Sequence, residues 1–119
     1  MEAFKIYLQK FPKYLPEVFE MVQPFLTRKT VKAGEYLLRH GKQCKNVVFI
    51  EKGLLRLYYL DDGKEVTKYF CRENNITTAY DSLVTQTESE LAIQAVEACS
   101  LLILPYDALQ ELYKRNWFW

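Results

Sequence analysis

From Glu73 to Tyr113 the chain carries seven acidic side chains and neither Lys nor Arg, a run of 41 residues. Phosphate and carboxylate recognition normally rests on a guanidinium or ammonium, because a charge-assisted hydrogen bond is about twice as strong as a neutral one. An anion bound to this segment would have only backbone amides and hydroxyls to neutralise it. Residues 1–72 hold the opposite excess, 14 basic against 8 acidic, so the net charge of +1 averages two halves of opposite sign. The plainer reading of this asymmetry is a surface on which the acids lie near the basic half.

Other reactive side chains are sparse. Cys44, Cys71 and Cys99 are odd in number and spaced 27 and 28 apart, which fits neither a disulfide framework nor a Cys-x-x-Cys metal or redox motif. They are expected as buried small apolar residues, since nothing near Cys71 or Cys99 in sequence would lower a thiol pKa. His40 is the only histidine and has no cysteine beside it, so a metal or haem centre has little to build on. No cofactor is expected. A metalloenzyme that needs several imidazoles is excluded, and no catalytic residue set is found. His40, next to Gly41, reads as a surface histidine in a turn. Arg56, between Leu55 and Leu57, falls on the opposite face of its strand and is expected to face solvent or an acidic partner.

The elements that must position these residues follow from periodicity. Phe4, Tyr7, Leu8 and Phe11 make one apolar helical face that Pro12 ends, and Pro16 opens a second short helix carrying Val18, Phe19 and Val22 inward before Pro24. The pattern then changes to short β-branched and aromatic runs: Thr30-Val31, Tyr36 to Leu38, Asn46 to Ile50, Leu54 to Leu60 and Glu65 to Cys71. All four glycines, at 34, 41, 53 and 63, sit between these runs, and Asp62-Gly63 is the strongest hairpin signal. A polar segment from Arg72 to Thr77 precedes a short helix or turn around Ala79 to Val84. Strands follow at Leu91 to Val96 and Ala98 to Leu104, and Pro105 is expected to start a helix with Ala108, Leu109, Leu112 and Tyr113 on its apolar stripe. The fold class expected is mainly β with flanking α-helices, an antiparallel β-roll or jelly roll.

A length of 119 residues allows one domain with its own core. No run approaches the ~20 apolar residues of a membrane span, and Met1-Glu2-Ala3-Phe4-Lys5 lacks a secretory layout, so no membrane partner and a cytoplasmic location are expected.

The order of these motifs resembles the Crp/Fnr-type, cyclic nucleotide-binding-like sensor domain over Leu26 to Leu112. The residues that carry the resemblance are Val31 to Leu38 with Gly34, then Gly41, then Val48 to Arg56 with Phe49-Ile50 and Gly53, then Asp62 to Val66. Asp81-Ser82-Leu83 and Ser89 to Glu97 resemble the subgroup of Bacteroidetes-type regulators. The resemblance implies an N-terminal helical segment at 1–25, a β-roll sensor at 26–104 with a ligand cassette at 74–90, and at 105–119 the start of a long dimerisation helix. It also implies a homodimeric, full-length transcription regulator whose DNA-binding half lies beyond this chain. DNA would be a partner only through that half. A stand-alone β-roll that binds another protein is the alternative.

In the resembled family the cassette opens with Gly-Glu, which holds the ribose, and closes with Arg followed by Ser or Thr, the Arg pairing with the cyclic phosphate. Counted back without gaps from Ile93-Gln94-Ala95, those positions are Thr78-Ala79 and Ser89-Glu90. All four differ. Losing the Arg costs about 1.5–3 kcal/mol of phosphate binding, and Glu90 would add repulsion. Cyclic AMP and cyclic GMP are therefore not expected as effectors, and the small effector stays unknown. The pocket candidates are Thr78, Ala79, Tyr80, Ser82, Ser89 and Glu90. Tyr80 is expected as a core aromatic plugging the roll, the other reading being a pocket for a neutral or cationic ligand contacted by Tyr80, Ser89 and Glu90. Trp117, Phe118 and Trp119 are expected to pack between sensor and helix, or on a partner subunit.

Overall fold

The computed structural model describes residues 1–115. Two short helices come first, α1 (Glu2–Gln9) and α2 (Pro16–Val22), and a 3₁₀ turn at Gln23–Phe25 follows. Eight strands then run β1 (Thr27–Val31), β2 (Tyr36–Leu38), β3 (Asn46–Lys52), β4 (Leu55–Asp61), β5 (Lys64–Cys71), β6 (Ile76–Thr77), β7 (Ala92–Ala95) and β8 (Cys99–Pro105). Helix α3 (Tyr80–Thr85) interrupts them between β6 and β7, and α4 (Tyr106–Arg115) ends the described chain.

The strands form two four-stranded sheets, ordered β1-β8-β3-β6 and β2-β7-β4-β5, with every pairing antiparallel. The mainly β roll with flanking helices is as the turn spacing predicts. Two of its details are corrections. Pro105 does not start the last helix: it ends β8 opposite Asn46, a strand end where its missing N–H costs nothing, and α4 begins one residue later. The polar stretch after Cys71 also hides a strand, because Ile76 and Thr77 pair with Phe49 and Val48 in spite of their flanking asparagines.

The first sheet is covered on both faces, which explains the continuous buried run Val48-Phe49-Ile50 in β3. Val48 and Ile50 face the roll interior with Leu55, Leu57, Ile93 and Leu101. Phe49, Leu102 and Leu104 face the other way, against Phe4, Leu8, Val18, Val22 and Leu112 from the helices. Leu112 thus ties α4 to the same core as α1. All three cysteines are buried and free, and burial pushes the Cys71 and Cys99 thiols up, away from a reactive thiolate.

Candidate functional site

A groove of about 820 Å³ opens between the β4–β5 hairpin and the segment from Thr78 to Leu91. Its size falls in the range of small-molecule sites, roughly 300–1,000 Å³. All six sequence-derived pocket candidates line it: Thr78, Ala79, Tyr80, Ser82, Ser89 and Glu90. Their environments differ sharply.

The hydroxyls are committed within the protein. Ser82, 4% exposed, accepts a 2.8 Å hydrogen bond from the Cys44 N–H and donates to the Thr87 carbonyl. Ser89, 5% exposed, donates to the Leu91 carbonyl at 2.8 Å and accepts from the Leu91 N–H at 3.0 Å. Its backbone pairs with the Gly41-Lys42 turn, which clamps the cassette to the start of the roll. Thr78 donates to the Asn46 carbonyl at 2.8 Å. These three hydroxyls brace the cassette. Ser82→Ala is accordingly expected to leave the buried Cys44 N–H without an acceptor and to cost about 1–3 kcal/mol of stability, read by urea denaturation.

Tyr80 does not plug the roll. It is 67% exposed. The inward face of α3 is set by Ala79, Ser82 and Leu83, spaced by three and four residues, and Tyr80 falls off that stripe on the groove side. The interior it was expected to fill is occupied by the aliphatic residues of the two sheets. Tyr80→Ala should therefore change stability by no more than ~0.5 kcal/mol, against the larger loss in Ser82→Ala.

The sequence reading missed Lys68. The β4–β5 register runs Leu57 to Tyr69 and then Tyr58 to Thr67, so Lys68 is the unpaired residue of a β-bulge. The bulge turns both Lys68 and Tyr69 toward the groove, with Tyr59 beside them on β4. A signal was available. Strict pairing outward from Asp62-Gly63 would set Lys68 opposite the buried Leu57, a mismatch that one extra residue resolves. The bulge also returns Cys71 to the interior opposite Leu55 and leaves Phe70 outside.

On the outer face of this sheet the bulge is backed by an aromatic and cationic cluster. The Tyr36 and Tyr58 hydroxyls are hydrogen-bonded to each other, and the Arg39 and Arg56 guanidiniums lie 4.1 Å over the Tyr36 and Tyr58 rings respectively. Burial first, then the bond to Tyr36, pushes the Tyr58 hydroxyl up to about 12. Arg56 also pairs with Glu65, the acidic partner anticipated for it. His40 is not simply a surface turn residue. Its ring packs edge-on against Tyr58 at 5.0 Å, with Nε2 buried.

The groove wall formed by α3 and the following loop presents Asp81, Glu88 and Glu90. None of these carboxylates, nor Lys68, makes a hydrogen bond or ion pair among the described residues. The acids of the second half are thus not neutralised by the basic half at this site. Among the described residues no group of three or more His, Cys, Asp or Glu could hold a metal ion, and no helix is long and apolar enough to cross a membrane. Trp117, Phe118 and Trp119 lie outside the described residues.

Two rolled four-stranded sheets, with the helix-bearing segment 78–91 beside a lateral groove, define a β-roll. Residues 28–116 match the cyclic nucleotide-binding domain family, and the chain belongs to it. It is 21% identical over 101 residues to an anaerobic regulatory protein of Bacillus subtilis, a match spanning 84% of this chain and 42% of that protein's length. The sensor domain of the transcriptional regulator DNR from Pseudomonas aeruginosa superposes with a TM-score of 0.74 at 18% identity, covering 98% of this chain and 82% of that one. The regulatory subunit of a cAMP-independent protein kinase A from Trypanosoma cruzi, bound to guanosine, superposes at 0.81 and 13% identity, covering 95% and 41%. The resemblance to Crp/Fnr-type sensor domains is borne out at the level of family and fold.

Proposed function

We propose that this chain is the effector-sensing domain of a Crp/Fnr-like regulator whose groove has lost cyclic nucleotide binding. The observation that carries this reading is the character of the cassette wall. Where the resemblance puts the ribose-binding Glu and the phosphate-binding Arg, this chain has Ala79 and Ser89, which are 2% and 5% exposed. The charged groups that wall does offer are Asp81, Glu88 and Glu90. A cyclic phosphate entering there meets carboxylates instead of a guanidinium. The guanosine-bound, cAMP-independent relative supports the idea that this roll can hold a ligand without a phosphate.

The output path is α4. Its Leu112 is seated in the helical core behind β3 and β8, so an effector that favours one cassette position shifts the α4 orientation by its differential affinity for the two states. In the full-length regulator that movement would reach a DNA-binding part and a partner subunit.

Calorimetric titration tests the first element directly. Neither cyclic AMP nor cyclic GMP should give a saturable heat up to about 1 mM, because the loss of a charge-assisted pair and the added repulsion act together. Saturable binding of either nucleotide at micromolar concentration would overturn the reading.

A further inference from the structure

The groove has two walls of opposite chemistry. The hairpin wall carries one free ammonium, Lys68, placed by the β-bulge, with Tyr59 and Tyr69 at 39% and 40% exposure. The facing wall carries the carboxylates of Asp81, Glu88 and Glu90 beside the 67% exposed Tyr80 ring. Exposed aromatic faces set among unpaired carboxylates are the composition that recognises an organic ammonium, through cation–π attraction and charge-assisted hydrogen bonds together. A single opposed lysine favours a ligand that also carries one negative group. The acids outnumber the lysine, so the field of the groove repels a ligand whose net charge is negative.

Resting on the reading that the groove is an effector site closed to cyclic nucleotides, we infer that its effector is a small aromatic zwitterion. The ammonium faces the carboxylates of the cassette wall, the single anionic group lies on Lys68, and the planar ring lies between Tyr80 and the hairpin tyrosines. The wall polarity sets the ligand's orientation: its anionic group toward β5, its ammonium toward α3 and the loop after it. Because the acids sit on the cassette and the lysine on the hairpin, such a ligand bridges two segments that share no ion pair across the groove.

A matched probe series separates the charges. L-Tryptophan carries both, tryptamine only the ammonium, indole-3-acetate only the carboxylate, and guanosine neither. Titrated into the folded protein, L-tryptophan should bind about tenfold more tightly than indole-3-acetate, the difference of one charge-assisted contact. Lys68→Met should weaken L-tryptophan, whose carboxylate loses its partner, and should not weaken tryptamine. The double variant Glu88→Gln, Glu90→Gln should weaken both. Both Lys68 and the two glutamates are exposed, so these variants are expected to fold, and circular dichroism checks that they do.

The inference is overturned if indole-3-acetate or guanosine binds as tightly as L-tryptophan, if no probe binds, or if Lys68→Met weakens tryptamine and L-tryptophan equally. None of those outcomes touches the exclusion of cyclic nucleotides. That exclusion fails only if cyclic AMP or cyclic GMP binds, which the same titration reads in separate runs.

Discussion

Gly53→Ala is expected to destabilise the protein by about 2–6 kcal/mol, a large part of a typical domain's 5–15 kcal/mol when that stability lies at the low end. Gly53 joins β3 in one sheet to β4 in the other and has φ of +109°, a region that side chains rarely adopt. A methyl group there would lie 2.5 Å from Cys99 Sγ, 2.7 Å from the Ala98 carbonyl oxygen and 2.9 Å from Cys99 Cα. Ala98 and Cys99 are where the chain returns from β7 to β8, so two of the sheet-to-sheet crossings, β3 to β4 and β7 to β8, meet at this corner. The Val96 N–H bonded to the Leu54 carbonyl at 2.9 Å holds them together. Two costs add, backbone strain of about 1–3 kcal/mol and overpacking of about 1–3 kcal/mol, which together make about 2–6 kcal/mol. At roughly 4 °C per kcal/mol for a chain of this length, Tm should fall by about 8–24 °C.

Two companion variants make that result diagnostic. Gly63→Ala has a similar positive φ, +79°, but nothing within 4 Å of the added methyl, so it isolates the strain and should cost about 1 kcal/mol. Gly53→Ala combined with Cys99→Ala removes the sulfur contact yet keeps both backbone contacts, so it should stay strongly destabilised. Equal losses for Gly53→Ala and Gly63→Ala in thermal denaturation would refute the close backbone approach.

Phe49→Ala is expected to cost about 3–5 kcal/mol, the range for removing a buried aromatic. Phe49 is 2% exposed, with the Phe4 ring at 5.0 Å and edge-on and the Tyr7 ring at 5.5 Å. It is the residue of β3 that faces the helices, so its loss falls on the α1 and α2 side of the sheet rather than on the roll interior. Those helices have 8 and 7 residues, too short to persist in water without such packing. Amide exchange should accelerate most in residues 2–22, while the amides of β4 and β7 stay comparatively protected. Ile6→Ala, on the exposed side of α1, should cost under ~1 kcal/mol. A uniform rise in exchange across the chain would show that the helices and the roll unfold as one unit.

The parts of this fold legible in sequence are those written in local patterns. The helical stripe Phe4-Tyr7-Leu8, the turn at Asp62-Gly63 and most of the short β-branched runs need only a few neighbouring residues to be read and appear within a residue or two of their expected places, whereas Phe11 lies beyond α1, 44% exposed, and β1 starts three residues before Thr30. At Pro105 local pattern is ambiguous, because a proline suits both a strand's last residue and a helix's first turn, and only the pairing with Asn46 distinguishes them. Ile76-Thr77 was missed because a two-residue strand has no periodicity to detect.

The candidate groove divides the same way. That residues 73–113 offer no basic side chain follows from the order of residues alone, and the family resemblance implies that Ala79 and Ser89 stand where a nucleotide site needs Glu and Arg. Which groups actually face a ligand does not. Tyr80 lies in the groove and not in the core because α3 turns its Ala79-Ser82-Leu83 face inward, and Ser82 and Ser89 spend their hydroxyls on Cys44, Thr87 and Leu91. Lys68 enters from a different strand altogether, through a bulge that exists only once β4 and β5 are paired. Composition can exclude a cation from a segment but not from a site, because sites are assembled across strands. The amino-acid sequence determined the roll and the absence of a phosphate partner within the cassette; the tertiary pairing decided the charges across from it.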